Sequence, residues 1–246
     1  TTLQREANRI YGMTAKQTLD TAQSLYEKKL ITYPRTDSQY LTEDMEQTAR
    51  NVVRQIYEKY QLTVPFDQPE QPDVKKVMNN SKVTDHHAII PTMELTSCHM
   101  DELKSWEEKI LFLIAVHTVM AMSKDHIYQE TEIEVECQGE VFKTKGKTVL
   151  QDGWKIFENC FKNKDRMAIA DPDQEMKERI PKVTKGQTFY AVAAEKTEHF
   201  TSPPKPYSED TLLAAMETAG NKEFDEDTEK KGLGTPATRA GIIEKL

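Results

Sequence analysis

Thr32-Tyr33-Pro34-Arg35-Thr36-Asp37-Ser38 lies between two helical patterns and puts a phenol, a guanidinium and a carboxylate close together in the chain. Pro34 fixes its own φ, biases Tyr33 towards extended backbone and removes one hydrogen-bond donor. Side chains alternate faces along an extended segment, so Tyr33 and Arg35 are expected on one side, with Asp37 joining them if the extension lasts. Such a pair suits attack on a phosphodiester. The phenol oxygen is the nucleophile, and the planar guanidinium grips phosphate oxygens. The same residues also fit an ordinary loop around a half-buried tyrosine, and a short motif alone does not choose between the two.

Working outward, Thr1 or Thr2 is placed to cap a first helix with Leu3, Ala7 and Ile10 on one face and Gly12 after it. Thr14 caps a second, with Ala15, Leu19, Ala22 and Tyr26 at helical spacing. Lys28 and Lys29 follow at its C-terminal end, where the macrodipole favours cations. Beyond the tyrosine stretch, Thr42 with Glu43 and Asp44 opens a third helix through Met45, Ala49, Val52, Val53 and Ile56. Short helices followed by an extended segment suggest a helix-turn-helix or winged-helix unit. Residues 62–82, with Pro65, Pro69 and Pro72, read as a loop. Asp101 is expected to cap a long core helix carrying Leu103, Trp106, Ile110, Leu113 and Ile114.

From Tyr128 the period changes to two. Thr131, Ile133, Val135 and Cys137 alternate with Glu130, Glu132, Glu134 and Glu136, which is a strand with one wet face. Val141 to Lys145 is its expected hairpin partner across Gly139, and Gln187 to Ala194 is a further strand candidate. Ser202-Pro203-Pro204-Lys205-Pro206 marks a boundary. Ser208 then caps a helix ended by Gly220, Asn221 to Lys231 is a charged insert, and a last helix opens at Thr235. The expected class is multidomain α+β: a helical tyrosine domain over 1–124, a β-rich segment over 125–201 and a helical segment over 202–246.

A chain of 246 residues is long enough for a sizeable core, but 37% hydrophobic content and a mean hydropathy of −0.71 are wet for a compact enzyme. The net charge of −8 argues against a nucleic-acid binder, which usually carries a basic footprint. The acid is uneven, however. It concentrates in Glu130 to Glu140 and Glu223 to Glu229, while Lys28, Lys29 and Arg35 make the surroundings of Tyr33 basic. Cys98, Cys137 and Cys160 are far apart, show no metal-ligand spacing and suit a reduced, cytosolic protein. No apolar run reaches membrane length, so no membrane partner is expected. The chain opens without Met and closes inside an apparent helix, so a fragment of a longer protein is expected.

Three blocks, in order, carry a resemblance. Tyr33-Pro34-Arg35-Thr36-Asp37-Ser38 resembles the active-site tyrosine motif of type IA DNA topoisomerases, and the proline between Tyr and Arg is similar to the topoisomerase III branch. His86-His87-Ala88-Ile89-Ile90-Pro91-Thr92 resembles that family's histidine motif. Gly232-Leu233-Gly234-Thr235-Pro236-Ala237-Thr238-Arg239 resembles the block of its single-strand DNA-binding domain.

The resemblance implies that Tyr33 is a nucleophile that takes the 5′ phosphate of a transiently broken DNA strand. It implies that Arg35 holds the charge and that His86 contacts phosphate nearby. By the same resemblance Thr36, Asp37, Ser38, Thr235, Thr238 and Arg239 are DNA-binding candidates, and His87 receives no role. Lys205 and Tyr207 are added by charge and by base stacking. The implied partner is DNA, mainly single-stranded, together with other domains of the same polypeptide. The family's cofactor is Mg²⁺, held by acids of an N-terminal Toprim domain that this sequence does not show, so no metal ligand is assigned here. Asp171-Pro172-Asp173 and Asp225-Glu226-Asp227 read as turns. On this basis the 246 residues alone are expected not to relax DNA. A non-catalytic single-strand DNA-binding module, with Tyr33 used for stacking, stays open, as does a protein-interaction domain built on the acidic strand. A tyrosine recombinase fits less well, because its arginine and histidine set is not apparent.

Overall fold

The structure is a computed structural model that describes residues 1–62, 72–158, 183–190, 193, 195–220 and 232–245. Among these are six α-helices: α1 (Thr2–Tyr11), α2 (Ala15–Glu27), α3 (Glu46–Tyr60), α4 (Ser105–Ala121), α5 (Glu209–Thr218) and α6 (Pro236–Ile243). One antiparallel pair, β1 (Ile127–Cys137) and β2 (Glu140–Gln151), completes a mixed α+β chain. Short 3₁₀ turns punctuate the connections. The described residues fall into two units: 1–125 with 153–158 and 207–245, and 126–152 with the described part of 169–206. The Asn221 to Lys231 insert, both Asp-rich turns and Cys160 lie outside the described residues. No helix among the described residues is long and apolar enough to cross a membrane.

The first unit is built around α4. Ile110, Leu111, Leu113, Ala115 and Val116 are all fully buried, and Phe112, Ile114 and Val119 nearly so. A helix that is apolar on every side belongs inside a core. Amphipathic helices close on it: α2 through Ala22 and Leu25, α3 through Ala49, Val52, Val53 and Ile56. Residues 72–82 contribute more than a loop, since Val74 is completely buried within a 3₁₀ turn. Thr14 and Ser208 cap α2 and α5 as the sequence predicts.

Two local features set where the chain goes next. Lys29 takes a left-handed conformation (φ 61°) after α2, with Leu30 N–H bonding Leu25 O and Lys29 N–H bonding Tyr26 O. This double bond is a Schellman closure, and it turns the chain inward to bury Leu30 and Ile31. The second feature is the start of α4, which begins at Ser105 rather than at Asp101; Met100–Glu102 forms a separate 3₁₀ turn. The carboxylate of Glu107 decides this. It is 2% exposed and accepts Lys104 N–H (2.9 Å), Ser24 Oγ–H (2.7 Å) and Lys28 Nζ–H (2.7 Å). One side chain thus caps α4 and ties it to the last turn of α2.

The second unit is described by its hairpin. Gln138 (φ 52°) and Gly139 (φ 87°) both sit at positive φ, the signature of a tight two-residue turn that matches strand twist. The strand Val141 to Lys145 extends further than expected, to Gln151, with unbroken pairing from Cys137–Glu140 to Tyr128–Val149 and a register shift before Ile127–Gln151. Glu130, Glu132 and Glu134 face Lys147, Lys145 and Lys143 across the ladder. Gln187–Tyr190 is not a strand, and residues 191, 192 and 194 of that candidate lie outside the described residues.

Burial alone pushes the Glu107 pKa up, but its bonds to Lys28, Ser24 and Lys104 outweigh this and bring it down from 4.5 to about 2. A carboxyl depressed by folding contributes stability that is present above its unfolded pKa and lost as pH falls through the folded one. The contribution, on the order of 2 kcal/mol after allowing for the solvent-open Lys28 partner, is therefore expected to be complete above about pH 4.5 and to fade towards pH 2. Denaturant unfolding of the chain and of Glu107→Gln across pH 2–7 checks this. The stability gap between them should narrow in that window.

Candidate active site

Two segments distant in sequence lie side by side here. Ile31 and Pro91 form an isolated antiparallel bridge. Thr32 N–H bonds Ile90 O and Thr92 N–H bonds Leu30 O, both at 3.0 Å. Neither segment continues as a sheet, so side-chain hydroxyls take over from the ladder. Thr32 Oγ1 donates to Ala88 O and accepts Ile90 N–H, both at 3.0 Å. Thr36 Oγ1 donates to His86 O (2.9 Å) and accepts Ser38 N–H (3.1 Å). Ser38 Oγ donates to Lys82 O (2.8 Å) and accepts Tyr40 N–H (3.1 Å), while Ala88 N–H bonds Tyr40 O (2.9 Å). The tyrosine motif and the histidine block are therefore one structural object.

Tyr33 is half-buried in this object. Its ring meets Tyr26 edge to face at 5.3 Å between centroids and His86 at 4.3 Å with a 45° tilt. Pro34 beside it is buried, which pins the segment. Arg35 is exposed and makes no hydrogen bond or ion pair among the described residues, so its five N–H donors are open to an anion. It lies close enough to Lys16, in the first turn of α2, for the two charges to repel, whereas Tyr33 rests on Tyr26 in the last turn. Asp37 and His86 are exposed, and no hydrogen bond or ion pair joins them. Thr36 and Ser38, expected to meet DNA, spend their hydroxyls on neighbouring backbone.

Beneath the segment is a cavity of about 330 Å³, lined by Pro34 and Ser38 above, Leu19 and Ala22 from α2, and Ile114 and His117 from α4. Burial lowers the His117 pKa, with the Glu6 carboxylate 3.9 Å away opposing it. Among the described residues no group of three or more His, Cys, Asp or Glu is arranged to hold a metal ion.

The glycine block caps α6. Thr235 is the N-cap, Pro236 the first helical residue, and Thr238 Oγ1 accepts Thr235 N–H at 2.8 Å. Thr235 and Thr238 are both exposed. The expected outward reach of Arg239 is not what the structure shows. The residue is 3% exposed, and its guanidinium donates to Leu233 O (2.9 Å), Gly234 O (3.2 Å) and Thr1 Oγ1 (2.7 Å). A helix-end arginine reads as a phosphate ligand in sequence, but a loop with bare carbonyls competes for it. Tyr207 is 71% exposed, and Lys205, also exposed, belongs to the second unit. Tyr26, Thr32 and Glu107 shape the site although sequence reasoning gave them no role there; only the Thr32 position next to the motif offered a signal.

Gly232 holds φ 63°, and a Cβ there would lie 2.4 Å from both Met216 O and Glu217 O. Gly232→Ala is expected to destabilise the fold by about 2 kcal/mol, lowering Tm by ~4–8 °C in a thermal melt.

A family model described as DNA topoisomerase matches residues 1–246. The DNA topoisomerase 3 of Bacillus licheniformis is 38% identical over 264 residues, covering 100% of this chain and 34% of that protein. The Bacillus subtilis DNA topoisomerase 3 is 38% identical over 258 residues, and that of Bacillus cereus 36% over 260, with the same coverage. The chain thus spans about a third of the length of the curated relatives it matches. With a family match over every residue and three ordered motif blocks, two of them joined in one hydrogen-bonded object, the chain belongs to the DNA topoisomerase family.

Proposed function

We propose that this chain supplies the tyrosine that breaks and rejoins one DNA strand. The observation that carries it is Tyr33 itself: a half-exposed phenol held between Tyr26 and His86, in a segment that also presents an uncommitted guanidinium. In the step, Tyr33 Oη attacks phosphorus and the P–O3′ bond breaks. The phenolic proton leaves to solvent or a base, and the departing 3′ oxygen gains one. The product is a 5′-phosphotyrosine and a free 3′ hydroxyl. The ester keeps the bond energy, so resealing needs no ATP.

A phenol with a pKa of about 10 is a poor nucleophile at neutral pH. Arg35 neutralises charge that builds on the equatorial phosphate oxygens, and His86, stacked on the same ring, contacts the phosphate from the other segment. Thr36, Asp37 and Ser38 shape the strand's path by their backbone. Thr235 and Thr238 at the start of α6, with Lys205 and Tyr207, bind backbone and bases further along. Arg239 acts behind them by holding the glycine loop in shape.

Residues 1–124 supply the helix-turn-helix-like tyrosine domain, 125–201 part of an arch, and 202–246 part of the strand-binding base, whose helices α5 and α6 pack on α1 and α2 within the first unit. The protein works in the cytoplasm. Mg²⁺ belongs to a domain outside these residues, and no step above passes through it. The isolated chain therefore does not relax DNA, which Mg²⁺-dependent relaxation of a negatively supercoiled plasmid by the purified chain would disprove.

In the full-length polypeptide containing these residues, Tyr33→Phe is expected to abolish covalent adducts on labelled single-stranded DNA. Arg35→Ala should slow adduct formation by roughly 10²-fold. Adducts that persist in the Phe variant would remove Tyr33 from the chemistry.

A further inference from the structure

We propose that Glu107 is a positioning residue for the Tyr33 phenol, acting across the fold through the last turn of α2. This rests on Tyr33 being the nucleophile. Glu107 is buried at the start of the core helix α4, far in sequence from the tyrosine motif. Two of its three donors, Ser24 Oγ–H and Lys28 Nζ–H, belong to the end of α2. Tyr26 lies between them in sequence, and its ring makes a T-shaped contact with that of Tyr33. Immediately after, the left-handed Lys29 closes α2 and delivers the chain to the Ile31–Pro91 bridge and so to Tyr33. The buried carboxylate thus fixes both supports of the phenol: the ring it leans on and the backbone that carries it.

The geometry singles out Lys28 as the weak point of the device. Its side chain is 39% exposed while Glu107 is 3% exposed, so the ammonium can swing into water once its partner loses charge. In Glu107→Gln the amide oxygen can still accept Lys104 N–H, and the Ser24 hydroxyl can turn to accept from the amide NH₂. The charge therefore serves the Lys28 link specifically, and a change confined to that link tests the idea without removing the α4 cap.

The test uses the 246-residue chain with 3-fluorotyrosine placed at position 33, read by ¹⁹F NMR, and nitration of Tyr33 mapped by peptide analysis. Lys28→Met and Glu107→Gln are each expected to move and broaden the Tyr33 resonance and raise its nitration about threefold. A fluorotyrosine at position 128 in the second unit should not change. Lys28→Arg, which keeps the cation, should restore the parent signal. The double variant should show no more than the larger single effect, since both break one link. In the full-length polypeptide at saturating single-stranded DNA, Lys28→Met should slow adduct formation about tenfold, and Lys28→Arg should not. If Lys28→Met folds and leaves the Tyr33 resonance and nitration at parent values, the proposal is overturned. If the parent protein forms no adduct at all, the nucleophile assignment fails instead, and the NMR result still decides whether Glu107 positions the ring.

Discussion

The tyrosine segment and the histidine block have no sheet to complete, yet their backbone groups are half-buried and must be bonded. Thr32, Thr36 and Ser38 meet this demand with three hydroxyls that donate and accept in turn. Everything at the candidate site follows from that stitching. It sets Tyr33 against His86, turns Pro34 inward and leaves Arg35 outside. A hydroxyl saturated by two backbone partners has little left for a phosphate. The motif's small polar residues therefore work first as structure, and the chemistry narrows to the phenol, the imidazole and the guanidinium.

The two arginines of the motif blocks show how context divides one residue type between two tasks. Arg239 has several acceptors within reach and a buried setting, so its fork closes on Leu233 O, Gly234 O and Thr1 Oγ1, with the Glu217 carboxylate 3.7 Å away. Arg35 follows a proline in an exposed stretch and makes no hydrogen bond or ion pair among the described residues, so its fork stays open. An arginine that must bind an anion has to be denied internal acceptors. Arg35, exposed and without an internal partner among the described residues, meets that condition, and the glycine loop does the reverse for Arg239.

Features fixed by near neighbours were legible in the sequence. Thr14 and Ser208 as caps, Gly12 after α1, the period-two strand and its turn at Gly139 all depend on residues within a few positions. The α+β class followed from them. What the sequence hid depends on partners far along the chain. Asp101 has the right chemistry for a cap, but Glu107 takes the Lys104 amide and moves the helix start, because Ser24 and Lys28 arrive to satisfy its buried carboxylate. Tyr26 carries a helical period that explains its place on α2 and says nothing of the ring that will lean on it. Tyr33 meets Tyr26 in the last turn of α2 and Arg35 comes near Lys16 in its first turn, placements that the spacing of the two residues in the motif does not reveal.

Net charge needs the same treatment. A surplus of −8 would repel a polyanion if it acted as one field. In the hairpin it does not, because Glu130, Glu132 and Glu134 stand opposite Lys147, Lys145 and Lys143. Two of these pairs close as ion pairs, Glu132–Lys145 at 3.1 Å and Glu134–Lys143. Paired charges in water cancel beyond a Debye length of about 8–10 Å, so this strand adds little long-range repulsion. Its ion pairs are exposed and add little stability either. Their physical effect is to hold register in a two-stranded ribbon whose other face carries Ile133, Val135 and Phe142, where a one-residue slip would exchange the charged and apolar faces. The acidity that argued against a nucleic-acid partner is thus, over these residues, a registration device, and the field felt at Arg35 is set by its own neighbourhood of Lys16 and α2.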